Sequence, residues 1–186
     1  MAASGALPGL FCCFAAMVLL IFVSVSSPKW ERISFLDIGN LHFGVFGYTG
    51  SQAHIGWYFP IDTASQVTND VNTDILHNLT YVLILYPIAA GLSGIAVLFG
   101  LCGASYHRVG TVFMTLVAAL AMLATLIAWA ISMALFGVAR NRFQDAGISA
   151  TWGNANWLAL GALVALVFGF CASACGIFGH YRRTRF

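Results

Sequence analysis

The sequence predicts a membrane fold, all-α in its spans: a four-transmembrane-helix bundle with a small extracellular antiparallel β-sheet. Three observations predict it. The chain is 60% hydrophobic and only 8% charged, where soluble domains carry about 25% charged residues. Four runs without a charged residue, Leu7 to Ser27, Leu79 to Cys102, Gly110 to Phe136 and Asn154 to Gly179, match the roughly 20 apolar residues that a bilayer crossing needs. Between the first two runs lies one sizeable polar stretch, punctuated by aromatic and β-branched segments. The whole chain, 1–186, therefore reads as one membrane domain.

The first run, about 7–27, has no basic flank before it and exceeds the h-region of a signal peptide, so it reads as an uncleaved first span. Its adjacent Cys12 and Cys13 are candidates for lipidation at a membrane boundary. The reading preferred for both is that of small apolar packing residues. The short loop 103–109 and the tail 180–186 hold Arg108, Arg182, Arg183 and Arg185, whereas Lys29, Arg32, Arg140 and Arg142 are spread along loops 28–78 and 137–153. By the positive-inside rule both termini are cytosolic and the two longer loops extracellular. All cysteines, Cys12, Cys13, Cys102, Cys171 and Cys175, then lie in the cytosolic half, leaving none for an extracellular disulfide. Cys171 and Cys175 lie one turn apart without further ligands, which suits packing better than metal.

In the first outer loop the runs Trp30 to Leu36, Leu41 to Tyr48 and His54 to Phe59, separated by Gly39-Asn40 and by Thr49 to Gln52, predict two or three short antiparallel strands. Phe43, Gly44, Phe46, Gly47, Tyr48 and Trp57 are the expected sheet residues. His42 and His54 either hydrogen-bond within that sheet or titrate between about pH 5 and 8. The polar stretch Asp62 to Asp74 is expected to be a mobile segment or a short helix. Asn78-Leu79-Thr80 matches the glycosylation sequon, but lies at the mouth of span two and is expected unoccupied.

Span two, about 79–102, places Ala89, Ser93, Ala96 and Gly100 on one face at helical spacing. Lipid supplies no hydrophobic drive for helix association, so small residues that admit close approach mark a packing face. Pro87 should bend this span. Span three, about 110–136, repeats the pattern with Ala121, Thr125, Ala128 and Ser132, and Trp129 is expected toward the outer leaflet. The loop after it has room for one strand or a helical extension of the span. Span four, about 154–179, starts at a plausible N-cap, Asn154, with Trp152 and Trp157 in the interfacial belt. Its small-residue face holds Gly161, Ala165 and Gly169.

Intramembrane ionisable residues mark pumps and transporters, and none of the four runs contains Asp, Glu, Lys, Arg or His. No nucleophile motif, phosphate-binding loop or metal spacing occurs, so neither an enzyme nor a cofactor is expected. A net charge of +2 with scattered cations gives no footprint for nucleic acid. The tail His180 to Arg185 could meet anionic inner-leaflet lipid as well as set topology.

The stretches LTYVLILYPIAAGLSGIAVLFGL, Phe43-Gly44-Val45-Phe46-Gly47-Tyr48 and Gly153-Asn154-Ala155-Asn156-Trp157-Leu158 together resemble the fungal PalI family of pH-response regulators and sur-seven-type eisosomal tetraspans, which is more distantly similar to claudins. The resemblance covers all four spans. It implies a claudin-like, non-enzymatic plasma-membrane tetraspan that assists or scaffolds another polytopic membrane protein, in ambient-pH signalling or cortical membrane-domain and cell-wall organisation. The partner would be a pH sensor. Alternatives are an accessory subunit of a cell-wall polysaccharide synthase, or a self-assembling membrane-domain protein. The expected acting surface is Ala89, Ser93, Ala96 and Gly100 with Phe43 to Tyr48 outside. Two departures stand out: Thr49 occupies the position where the family commonly has Cys, and the chain stops at Phe186 where PalI-type regulators often continue into a long polar tail. The sheet is therefore expected to hold by packing alone.

Overall fold

The computed structural model of the chain describes residues 7–59, 74–105 and 108–181. Five helices account for most of them: α1 (Leu7–Ser24), α2 (Asp74–Val82), α3 (Leu85–Ser105), α4 (Arg108–Asp145) and α5 (Ala155–Tyr181). Three strands join them: β1 (Leu36–Ile38), β2 (Leu41–Phe43) and β3 (Ala150–Trp152). Three helical stretches, His77–Cys102, Val112–Asp145 and Ala155–Ala172, are long and apolar enough to cross a membrane. The first helix is shorter: its 18 residues span about 27 Å, just under the hydrocarbon thickness of about 30 Å. It ends at Ser24, before the expected Ser27, because Pro28 disfavours a helical Ser27 and the Ser26 N–H tightens onto the Val23 carbonyl, 3.3 Å away.

The bend expected from Pro87 is a break between α2 and α3. Pro87 has no N–H to give the Leu83 carbonyl, and the chain there turns through tighter i→i−3 bonds: Leu83 N–H to the Thr80 carbonyl (3.3 Å), Ile84 to Tyr81 (3.3 Å) and Tyr86 to Leu83 (3.1 Å). Beyond Phe136, α4 continues to Asp145, and its 38 residues reach about 57 Å. That extension carries buried Ala139 and Phe143 under the sheet. The second loop thus holds both a helical extension and a strand.

In cross-section α1 packs on α3 and α5, and α4 on the same two helices, closing a ring. Small buried residues face inward: Ala16 on α1, Ala89, Ser93 and Ala96 on α3, Ala121, Thr125, Ala128 and Ser132 on α4, and Ala155, Ala159 and Ala162 on α5. Outward face Phe11, Phe14, Ile88, Leu98, Leu116 and Phe168, all exposed.

The sheet caps the end of the ring at which α1 stops and α5 begins. Its order is β2-β1-β3, antiparallel throughout, with Leu36 opposite Phe43 and Trp152, and Asp37 opposite His42 and Thr151. Gly39, at φ +58°, makes the two-residue turn that side chains with a Cβ resist. The third strand comes from the second loop. The run His54 to Phe59, expected as a strand, is irregular: Gly56 sits at φ +70° against the Tyr81 ring, where a Cβ has no room, and the chain bends there. Segment 60–73, which holds most of the stretch expected to be mobile or helical, and the tail 182–186 lie outside the described residues.

Candidate functional site

Period-two alternation divides the sheet into two faces. Leu36, Ile38, Phe43 and Ala150 are buried beneath it and meet aromatic rings from the loop and the helices. Phe35 stacks on Phe136 at 5.1 Å and tilts against Tyr86 at 5.5 Å. Phe43 meets Trp57 at 5.5 Å and Phe59 at 5.2 Å, and Phe59 reaches Phe143 at 6.2 Å. Deeper, the Tyr86 and Ser132 hydroxyls share a hydrogen bond of 2.8 Å. Two aromatic clusters within one continuous core therefore link the sheet to the helix ring.

Two glycine contacts lock this arrangement. A Cβ on Gly44 would overlap the Ser27 backbone, and one on Gly153 the Ser34 backbone. Around Gly44, its N–H bonds the Gly47 carbonyl (2.8 Å) and Ser27 Oγ donates to the His42 carbonyl (2.8 Å). Around Gly153, the Phe35 carbonyl accepts both the Gly153 N–H (3.0 Å) and Asn156 Nδ2 (3.1 Å), while the Ala155 N–H donates to the Ser34 carbonyl (2.9 Å). The first unsatisfied N–H of α5 is thus capped by the sheet's lead-in. Asn154 takes the cap position through its carbonyl, which accepts Trp157 and Leu158.

The opposite face carries the row Thr49, His42, Asp37 and Thr151. His42 Nδ1 lies 2.7 Å from Asp37 Oδ1, both side chains about a third exposed (33% and 30%). Thr49 closes the row, donating its N–H to the His42 carbonyl (3.0 Å) and accepting the His42 N–H at Oγ1 (3.2 Å). Packing is therefore not all that holds the sheet: hydrogen bonds from Thr49 clasp the loop to β2. At the far edge, Arg140 Nε and Gln144 Nε2 both donate to the Ala150 carbonyl (3.3 and 3.1 Å), so α4 covers the rim of β3.

The SUR7/PalI family pattern matches residues 6–169. The chain belongs to the SUR7/PalI family. It is also similar to the pH-response regulator protein palI/RIM9 of Emericella nidulans, at 34% identity over 85 residues, covering 42% of this chain and 16% of that protein. The matched stretch is a small part of that longer relative.

Within this SUR7/PalI chain the expected acting residues sit mostly inside. Ala89, Ser93 and Ala96 are fully buried in the chain's own ring. A Cβ on Gly100 would press on Leu10 and Met114, and one on Gly169 on Cys12 and Cys13. Gly161 lies toward Leu19, and half-buried Ala165 packs against the core. Ala89, Ser93, Ala96, Gly100 and Gly169 thus pack within the chain's own ring, while Gly161 and Ala165 keep part of their surface open. Phe43, Gly44, Gly47 and Trp57 are likewise buried, with Phe46 and Tyr48 half-buried. Cys13 is fully buried and Cys12 half-buried, so the thiol presented least to an acylating enzyme is Cys13. His54 Nδ1 is 2.8 Å from the Gln52 carbonyl. Asn78 is exposed, but the sequon's Thr80 is buried and donates to the His77 carbonyl (2.6 Å). Among the described residues no three His, Cys, Asp or Glu side chains converge on a metal position. The pairing of Asp37 with His42 escaped the sequence reading, although the Gly39-Asn40 turn places them opposite each other.

Proposed function

We propose that the chain is a non-enzymatic plasma-membrane protein with four spans and both termini in the cytosol, which assists another polytopic membrane protein in the response to ambient pH. The observation that carries this reading is membership of the SUR7/PalI family together with 34% identity to a pH-response regulator. Runs free of ionisable residues support a helper over a transporter. On this reading α1 is the first span, tilted little and fitted to a locally thin bilayer.

The surface assigned to the partner is the outward row Thr49, His42, Asp37 and Thr151. It is polar, lies away from the shared core and stands on a rigid base, so a partner would meet a preformed face rather than order a loose one. The helix ring supplies the platform.

The test is gentle purification of the tagged chain from its native membrane, with mass spectrometry of what stays bound at stoichiometric level. A multispan receptor-like protein supports the helper. A glycosyltransferase would replace this reading with a synthase subunit, and self-association alone with a domain-forming tetraspan.

A further inference from the structure

A cavity of about 350 Å³ opens between the end of α1 and the loop that follows β2, walled by Ser24, Val25, Pro28, Lys29, Phe46 and Ala53 among others. We propose that it binds a phospholipid of the leaflet on the sheet side, the phosphodiester at Lys29 and the start of one acyl chain against Val25 and Phe46. The proposal stands independently of the pH role.

Position, charge and size support it together. The mouth lies where an apolar helix gives way to polar loop, and the chain on either side of it carries Phe22 and Trp30, whose rings are 5.8 Å apart and which are 37% and 46% exposed. An exposed Trp ring such as that of Trp30 settles at the headgroup level. Lys29 is exposed, and among the described residues it has no ion-pair partner. Ser24 Oγ already donates to the Leu20 carbonyl at 2.7 Å, and the ammonium is the charged donor available to an anion. The volume falls at the lower end of small-molecule sites, enough for a headgroup and the first carbons of a chain. A free phosphate would face a mostly apolar wall, whereas a lipid satisfies both wall and cation. The floor is preformed: Ser26 Oγ accepts the Val45 N–H (3.1 Å), Ser27 bonds His42, and Gly44 is pressed on Ser27.

The experiment incubates the full-length chain in mild detergent with vesicles of phosphatidylcholine or with diacylglycerol, then reads retained lipid by native mass spectrometry. Phosphatidylcholine should be retained in preference to diacylglycerol, and excess inorganic phosphate should not displace it. Lys29→Glu should lower retention about fivefold or more, the effect of one interfacial cation. Ala53→Trp, which fills the cavity and keeps the charge, should lower it comparably. Arg32→Glu makes the same charge change on a residue outside the cavity wall and should leave retention unchanged, with circular dichroism confirming the fold of each variant. Equal loss in Arg32→Glu, equal retention of both lipids, or displacement by phosphate would overturn the proposal.

Discussion

Replacing Phe35 by Ala tests the idea that sheet and helices share one core. The ring is fully buried, stacked within 10° of parallel on Phe136 at 5.1 Å and set against Tyr86 at 5.5 Å. Burial of such a ring contributes about 1.5–3 kcal/mol, and the void left by truncation adds to the loss, for a total of about 3–5 kcal/mol. The neighbours can collapse little: Tyr86 is tied to Ser132, and the Phe35 backbone is held by Phe43, Gly153 and Asn156. The upper half of that range is therefore expected. Equilibrium unfolding in mixed micelles, followed by far-UV circular dichroism for the helices and near-UV for the aromatic core, measures it. Both signals should shift together. A loss under about 1 kcal/mol, or a near-UV transition that moves while the helices hold, would refute the shared core, since a typical core deletion exceeds that.

Three further perturbations separate buried from open positions. Gly44→Ala forces a Cβ into the Ser27 backbone and should sharply lower folded yield by size-exclusion chromatography, while Gly91→Ala, with open space around it, should be neutral or gain up to about 1 kcal/mol of helix stability. A double-mutant cycle of Asp37→Asn and His42→Gln should give a coupling of about 0.2–1 kcal/mol, because both groups are about a third exposed and solvent screens the pair. In detergent, a small maleimide should label exposed Cys102, at the end of its apolar stretch, in the folded chain and buried Cys13 only after unfolding, as peptide mass spectrometry would read.

Much of the helical frame was legible because lipid forbids exposed charge, which leaves long uncharged runs such as Leu79 to Cys102. Helix ends were less so. The tip of α4, Gly137 to Asp145, carries Arg140, Arg142 and Asp145 and gives no apolar run, although buried Ala139 and Phe143 lie at helical spacing. β3 is three residues long, and its partner β1 is more than a hundred positions away, beyond the reach of local pattern. The small-residue spacing of Ala89, Ser93 and Ala96 revealed a face made for close approach. Spacing does not say whose helix approaches, and the ring's own geometry fills that face. The hairpin was different: the turn at Gly39-Asn40 fixes the register, so the Asp37–His42 pair follows from counting outward from it.

On the proposed function the outward row of the sheet, and not the small-residue seams, meets the partner. Photo-crosslinking amino acids placed singly at Asp37, Thr151 and Ala89 in the native membrane test it directly. A crosslink to one polytopic membrane protein is expected from Asp37 and Thr151, while Ala89, fully buried, reacts only within the chain. A foreign protein captured from Ala89 and none from the sheet would contradict it.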